Sequence, residues 1–181
     1  MKKIDIIATD LDGTLLTDNK QISDGNRRAL EKAASEGIYI VPATGRALYT
    51  MPECVMELDC IKYAVTSNGA AIVNMKTGET LYKNQMDYIT AEKIINYGLE
   101  IMVEVFTNGR VYTLKRYMDE LVEYGVNPRF TEWLKDTRET VESFSDILNN
   151  DSTIENINLI FSDMDKRDEM RKYLLACPDV E

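Results

Sequence analysis

Short apolar runs alternate with one segment of helical spacing in the first part of the chain. Ile4–Thr9 and Ile38–Ala43 are nearly continuous apolar runs, which is typical of strands in a buried parallel sheet. Between them, the apolar residues from 29 to 34 fall on one helical face, and Gly37 supplies a stop signal. The predicted elements are a strand at 4–9, a helix at 24–36, a strand at 38–43, a helix at 46–58 with a bend or restart at Pro52, and a strand at 63–66. This βαβαβ order predicts a doubly wound parallel sheet.

The pattern changes to hairpins mixed with helices after about residue 70. Asn108-Gly109 between two apolar runs favours a type I′ turn, and Thr90 is a candidate helix cap. The predicted elements are hairpins at 70–82 and 101–115, helices at 90–97, 116–124 and 166–176, and a strand at 154–161. We therefore predict two domains, 1–82 and 83–181, of which the second is a separate α+β unit.

The charge balance narrows the classes of partner. The 181 residues carry a net charge of -10, which disfavours nucleic acid or an anionic membrane as the main partner but allows one phosphate bound with a metal ion. No apolar run reaches the roughly 18 residues of a membrane span, and Asp5 and Asp10 interrupt the only leader-like run. We expect a cytoplasmic protein.

The sequence contains no histidine, and its three cysteines form no C-x-x-C pair. Catalytic triads and zinc sites that need imidazole are therefore excluded, and the cysteines are expected to be free thiols. Acid–base chemistry in this chain must use carboxylates, lysines, tyrosines or thiols.

Two carboxylates follow the first predicted strand. Asp10 stands where the strand ends, and Asp12 comes two residues later. Ligands of open α/β sheets bind at this end of the strands. Close carboxylates need a cation or a shared proton, and magnesium binds one or two carboxylates together with water and phosphate. Gly13 allows a tight turn, and Thr14 adds a hydroxyl.

Three segments together resemble a known family. The segment Asp10–Leu15 (DLDGTL) resembles the first motif of the haloacid dehalogenase superfamily of phosphatases, and Ala43–Arg46 (ATGR) resembles its phosphate-binding segment. Together with Ser67–Ala70 (SNGA), the wording is similar to the Cof-type branch. The resemblance implies an α/β doubly wound, Rossmann-like core, incomplete in this chain, with an inserted α+β cap domain.

The resemblance also implies roles for single residues. Asp10 would be the nucleophile that forms a phosphoaspartate, and Asp12 the general acid and base. The Thr44 hydroxyl, nearby N–H groups and the N-terminus of the following helix would hold the phosphoryl oxygens. Magnesium would bind a side-chain oxygen of Asp10 and the backbone carbonyl of Asp12. The implied substrates are small phosphorylated metabolites.

Each candidate residue also has a plain structural interpretation. An isolated D-x-D could be a helix cap or a loop ion pair, and Thr44-Gly45 alone could be a helix N-cap. Arg46 is either a substrate contact or a solvated residue of a first helical turn. Asn68 with its following glycine is either a turn or part of an active-site loop.

Two other features favour structural interpretations. Asp163 and Asp165 form a second D-x-D but precede a charged helix, so Asp163 is predicted to cap that helix. The tyrosines at 112, 117 and 124 are predicted to be packing residues of the second unit.

The family pattern continues with a lysine and a Gly-Asp-x-x-Asn-Asp segment that carries the third magnesium ligand, and no segment here matches either. We therefore expect a fragment of a longer phosphatase that is weak or inactive as this chain. Its first strand would be an exposed apolar edge able to self-associate. The alternative is a degenerate, non-catalytic module that binds or senses a phosphorylated ligand. A D-x-D glycosyltransferase is a third, more distant interpretation.

Overall fold

The computed structural model describes residues 3–97 and 100–177. The chain divides into two compact units, Met1–Asn84 and Gln85–Glu181. The boundary lies close to the domain division predicted at residues 82 and 83.

The first unit is a mixed sheet that begins with parallel strands. Its elements are β1 (Ile6–Thr9), α1 (Asp24–Ser35), β2 (Tyr39–Pro42), α2 (Glu53–Met56), β3 (Tyr63–Thr66), β4 (Ala71–Asn74) and β5 (Thr80–Lys83), with 3₁₀ turns at Leu48–Thr50 and Ser67–Gly69. β1 pairs in parallel with β2, and parallel bridges Ile40–Ile61 and Ala43–Val65 join β2 to β3. β3, β4 and β5 then pair antiparallel. The α/β class predicted from the sequence is confirmed.

The core of the first unit lies between the sheet and its helices. Leu30 of α1 and Val55 of α2 pack with Ile40 and Leu11, and all four are buried. The Ser23 side chain caps α1 by accepting the N–H of Asn26, and the chain leaves the helix at a Gly37 with φ of +85°. The polar loops that follow β1, β2 and β3 are thereby anchored on a packed base.

The predicted helix at 46–58 is wrong. The chain forms the 3₁₀ turn Leu48–Thr50 and, separately, the four-residue α2. Met51 and Pro52 between them are extended, with ψ of 141° at both. Proline has no N–H for a helix interior and disfavours helical backbone in the residue before it. No long helix therefore follows Thr44, and the helix N-terminus expected beside it is absent from the described chain.

The second unit is a four-stranded sheet with helices. Its elements are α3 (Tyr88–Ile95), β6 (Met102–Thr107), β7 (Arg110–Leu114), α4 (Lys115–Met118), α5 (Thr131–Thr137), β8 (Glu139–Val141), β9 (Ile154–Ile160) and α6 (Met164–Ala176), with 3₁₀ turns at Pro128–Phe130 and Phe144–Asp146. The strand order is β8-β7-β6-β9. Asn108 and Gly109 both have positive φ, as the predicted type I′ turn requires.

Helix ends in the second unit agree only in part with the prediction. The Asp163 side chain accepts the N–H of Asp165 and caps α6, as predicted. The cap of α3 is Asp87 and not Thr90, because the Asp87 carboxylate accepts the N–H of Thr90. The helix predicted at 116–124 is limited to α4 and continues as turns to Gly125.

The sheet of the second unit has an apolar core on each face. Val103 and Val105 pack with Ala91 of α3 and Met170 of α6. Met102, on the other face, packs in a second cluster. Tyr117 and Tyr124 lie in this second cluster as predicted, with their rings 4.8 Å apart edge to face, whereas Tyr112 is half-buried opposite Val105 in the hairpin.

Candidate active site

Asp10 follows β1 directly and presents an exposed carboxylate. The chain then turns tightly, since the N–H groups of Thr14, Leu15 and Leu16 all point to the carbonyl of Leu11. Gly13 has a φ of +79° in this turn. The turn brings the Thr14 hydroxyl back to donate to Asp10 Oδ2 at 3.1 Å. The turn thus leaves the Asp10 carboxylate accessible and gives it one hydrogen-bond donor, the Thr14 hydroxyl.

Asp12 is held by two cations. Arg46 donates from Nε to Oδ2 at 2.7 Å and from Nη2 to Oδ1 at 2.9 Å, and Lys20 Nζ donates to Oδ1 at 2.7 Å. The hydrogen bonds from Arg46, aided by Lys20 and opposed by partial burial, lower the pKa of Asp12 to about 2. Asp12 is therefore ionised at neutral pH. Unlike the Asp10 carboxylate, the Asp12 carboxylate is bound by two positively charged side chains.

Arg46 is a buried residue with 8% of its surface exposed. Besides the two bonds to Asp12, its Nη1 donates to the backbone carbonyl of Thr50 at 2.8 Å. The solvated first-turn interpretation of Arg46 is therefore wrong. Its partner Asp12 lies 34 positions earlier in the chain, so a local sequence pattern does not predict this ion pair.

The ends of the parallel strands are joined by backbone hydrogen bonds. The N–H of Ala43 donates to the carbonyl of Thr9 at 2.8 Å, and the N–H of Thr44 donates to that of Val65 at 3.0 Å. Residues that follow β1, β2 and β3 therefore lie at one edge of the sheet. Asp10 stands at this edge directly after Thr9, and Thr44 is itself one of the two donors.

The loops around Thr44 and Asn68 form one unit. The Thr44 hydroxyl oxygen accepts the N–H of Arg46 at 3.2 Å, and the Thr44 carbonyl accepts the N–H of Asn68 at 3.3 Å. Ser67 in turn donates its N–H to the carbonyl of Arg46 at 2.9 Å. The Thr44 side chain is buried, and its hydroxyl keeps a proton that can be donated to a phosphate oxygen.

Gly45 packs directly against the Asn68 side chain. A Cβ built at Gly45 would lie 2.6 Å from Asn68 Oδ1, so a larger residue would require the Asn68 amide to move. Ser67, Asn68 and Gly69 all have positive φ, which costs free energy in the two residues that carry a Cβ. The structure thus brings Thr44, Gly45, Arg46 and Asn68 together, as grouped in the sequence prediction.

The oxygen atoms available at this edge suit magnesium. Within residues 3–97 and 100–177, no three acidic, cysteine or histidine side chains form a metal-binding group. The Asp10 carboxylate and the Asp12 backbone carbonyl are hard oxygen donors, and Mg²⁺ commonly takes one or two protein ligands, with water and phosphate completing the octahedron. The Asp12 carboxylate is occupied by Arg46 and Lys20, so only its backbone oxygen fits this role.

A cavity of about 410 Å³ lies in the second unit between α3, β7 and the 3₁₀ turn at Phe144–Asp146, and its wall includes Tyr88, Glu92 and Arg116. Among the described helices, none has the length and apolar character needed to cross a membrane.

Comparison with known proteins identifies the family of the chain. Haloacid dehalogenase-like hydrolases, as a family, match residues 7–178. A 5-amino-6-(5-phospho-D-ribitylamino)uracil phosphatase of Bacillus subtilis, YcsE, is 45% identical over 69 residues, which are 38% of this chain and 28% of that protein. An HMP-PP phosphatase of Klebsiella pneumoniae is 27% identical over 110 residues, or 60% of this chain and 40% of that protein.

Structural similarity extends over nearly the whole chain. A haloacid dehalogenase-like hydrolase from B. subtilis superimposes with a TM-score of 0.76 and 26% identity, covering 97% of this chain and 68% of that one. The chain spans less than half the length of either phosphatase relative. With the match of residues 7–178 to the family, the DLDGT turn at the end of β1 and the fold, this chain belongs to the haloacid dehalogenase-like hydrolases.

Proposed function

We propose that the chain is the catalytic part of a magnesium-dependent phosphatase that hydrolyses small phosphorylated metabolites through a phosphoaspartate on Asp10. The observation that carries the proposal is the division of labour between two carboxylates. Asp10 is exposed and has a hydroxyl neighbour, whereas Asp12 is held by Arg46 and Lys20. Asp10 can attack phosphorus, while Asp12 donates and accepts protons.

The reaction has two steps. An Asp10 oxygen attacks phosphorus, the bond from phosphorus to the substrate oxygen breaks, and the protonated form of Asp12 donates its proton to the leaving alkoxide. Asp12 then takes a proton from water, whose oxygen attacks the aspartyl phosphate and releases inorganic phosphate. The low pKa of Asp12 favours the base form that the second step needs and disfavours the protonated form that the first step needs.

The remaining residues bind the phosphoryl group. The Thr44 hydroxyl would donate to its oxygens, with Gly45 and Asn68 lining the site. The N–H groups of Thr44, Arg46 and Asn68 already donate to acceptors within these loops and β3. Magnesium, bound by Asp10 and the Asp12 carbonyl, would offset negative charge at the phosphoryl group.

The relatives support small phosphorylated substrates, since one is named for a ribitylamino-uracil phosphate and another for HMP-PP. We propose that residues 83–181 act as a cap domain that selects the substrate and excludes water. The net charge of -10 supports a small ligand over nucleic acid, and we place the protein in the cytoplasm.

The test is chemical trapping of the intermediate. The chain is incubated with Mg²⁺ and acetyl phosphate and then reduced with borohydride, which converts an aspartyl phosphate to homoserine. Peptide mass spectrometry is expected to find homoserine at position 10, and Asp10→Asn is expected to remove it. Wild-type protein without any modification at Asp10 would contradict the proposal.

We expect slow multiple turnover by the 181-residue chain, because the later lysine and Gly-Asp-x-x-Asn-Asp motifs of the family are not among its residues. The clamped Asp12 also fits a second candidate, a non-catalytic module that binds phosphorylated ligands. Calorimetric heat with sugar phosphates and Mg²⁺, in the absence of trapping at Asp10, would favour that module.

A further inference from the structure

Lys20 lies in a small hairpin-like loop directly after the DLDGT turn. Thr17 donates its N–H to the carbonyl of Gln21 at 2.9 Å, and Lys20 donates its N–H to that of Thr17 at the same distance. Lys20 has a φ of +57°, a conformation that few residues other than glycine adopt. The loop thus places a lysine ammonium 2.7 Å from Asp12 Oδ1 at some conformational cost.

The two cations that bind Asp12 differ in their surroundings. The Arg46 side chain is only 7% exposed and uses Nε, Nη1 and Nη2 in hydrogen bonds to Asp12 and to Thr50. The Lys20 side chain is 44% exposed and contacts Asp12 through a single ammonium group. The planar Arg46 guanidinium makes several hydrogen bonds of fixed geometry, whereas the flexible Lys20 side chain makes one contact that it can exchange for water.

We propose that Arg46 and Lys20 are positioning residues for Asp12, with Arg46 as a permanent anchor and Lys20 as a releasable arm, and that Arg46 does not bind the phosphoryl group. The inference rests on the proposed function, in which Asp12 exchanges protons with the leaving group and with water. It assigns Lys20 a role and reassigns Arg46 from substrate contact to support of the acid–base residue.

The distribution of hydrogen bonds explains why release is useful. Arg46 holds both oxygens of Asp12 and thereby fixes the plane of the carboxylate. Oδ1 accepts a second bond from Lys20. Departure of the ammonium therefore opens a position on Oδ1 without rotating the carboxylate, and the leaving-group oxygen or the attacking water can take that position. Because the buried Arg46 guanidinium fixes the orientation of the Asp12 carboxylate, that carboxylate does not need to reorient during the reaction.

The first measurement follows the Arg46 Nε–H signal by NMR in the 181-residue chain. The signal is expected to shift strongly in Asp12→Asn, to persist in Lys20→Met, and to keep its position when inorganic phosphate and Mg²⁺ are added. A signal that moves with phosphate and is indifferent to Asp12→Asn would overturn the assignment, because Arg46 would then be a phosphate ligand. This measurement needs no turnover and therefore decides the inference even if the phosphatase proposal fails.

The second measurement separates positioning from general damage to the fold. Transfer from an alkyl phosphate needs a proton on the leaving oxygen, whereas p-nitrophenolate leaves without one. In Arg46→Lys, the ratio of kcat for an alkyl phosphate to kcat for p-nitrophenyl phosphate is expected to fall about tenfold, a fraction of the roughly 10²–10⁴-fold that general acid catalysis contributes. In Lys20→Met the ratio is expected to persist, because Arg46 still binds both oxygens of Asp12. KM should change little.

Lys76→Met is the matched control, since Lys76 is an exposed lysine paired with Asp59 in the same unit. An equal loss for both substrates in Arg46→Lys would mean a purely structural role for Arg46, and a fall of the ratio in Lys20→Met would mean that the Lys20 contact has to persist during the reaction. Either result would refute the inference. If the wild type turns over neither substrate, trapping at Asp10 decides the phosphatase proposal and the Arg46 Nε–H signal decides this inference.

Discussion

Asp12 combines partial exposure with two charged partners, which makes its ionisation measurable through stability. Its pKa is about 2 in the folded protein and ordinarily 3.8, so the unfolded chain binds more protons between these values. The stabilisation is therefore complete above about pH 4 and is lost as the pH falls towards 2. Because the Asp12 side chain is 39% exposed, solvent screening reduces the expected contribution to about 1 kcal/mol.

The prediction is tested by urea unfolding of wild type and Asp12→Asn at about four pH values between 2.5 and 6. The free-energy difference between the two proteins should shrink as the pH falls. A difference that is constant across the range would show that Arg46 and Lys20 do not stabilise the ionised form.

The sequence predicts candidate residues for the site but not how they pair. Asp10 and Asp12 could be recognised because an apolar strand runs into them, and Thr44 because it follows the next strand. The Arg46–Asp12 pair depends on how two loops fold against each other, and the role of Arg46 was left open for that reason. Lys20 had one available signal, its position as a basic residue in the loop next to two carboxylates.

A buried ion pair joins elements of the second unit. Arg138, directly after α5, donates from Nε and Nη2 to the two carboxylate oxygens of Glu104 in β6, and the Asn158 amide of β9 donates to the same carboxylate. The side chains of Glu104 and Arg138 are 2% and 6% exposed. Removing one partner leaves an uncompensated buried charge, so Arg138→Met is expected to cost about 3–5 kcal/mol of stability.

Chemical denaturation of Arg138→Met, Glu104→Leu and the double variant measures this cost. The double variant should be more stable than the Arg138→Met variant, because no lone charge remains. Lys115→Met is the control, since it breaks an exposed pair with Glu142 and should cost less than about 1 kcal/mol. A loss of similar size in Lys115→Met and Arg138→Met would contradict the argument.

Elements with a clear hydrophobic period were predicted well, and elements formed by tertiary contacts were not. β1, α1, β2 and the Asn108-Gly109 hairpin follow from local patterns. The segment from α4 to β8 has little periodicity. The chain at Gly125 lies against the backbone of Phe161, since a Cβ there would be 2.5 Å from the Phe161 carbonyl oxygen. A local pattern does not reveal such a long-range contact.

The first unit has an apolar edge. Among the residues that the structure describes, β1 pairs only with β2, and Ile4 and Ile6 are 62% and 60% exposed. An unpaired apolar edge strand is a template for pairing with another chain. We therefore predict concentration-dependent association of the 181-residue chain, reduced in Ile6→Lys because a charged edge resists pairing.

Light scattering coupled to size exclusion measures this association at a series of concentrations. Ile89→Lys is the control, because Ile89 is 58% exposed on α3 in the other unit. An equal effect of both variants would indicate general solubility and not pairing at β1. A wild-type mass that is constant with concentration would contradict the prediction.

The strained loop at Ser67–Gly69 has a consequence for how the site forms. Its positive φ angles are compensated by hydrogen bonds that reach back to Thr44 and Arg46, so neither loop has its native shape without the other. Arg46 also carries the Asp12 contact. Opening of any one of these loops should therefore release all of them, and the candidate site should behave as a single cooperative unit that is either fully assembled or absent.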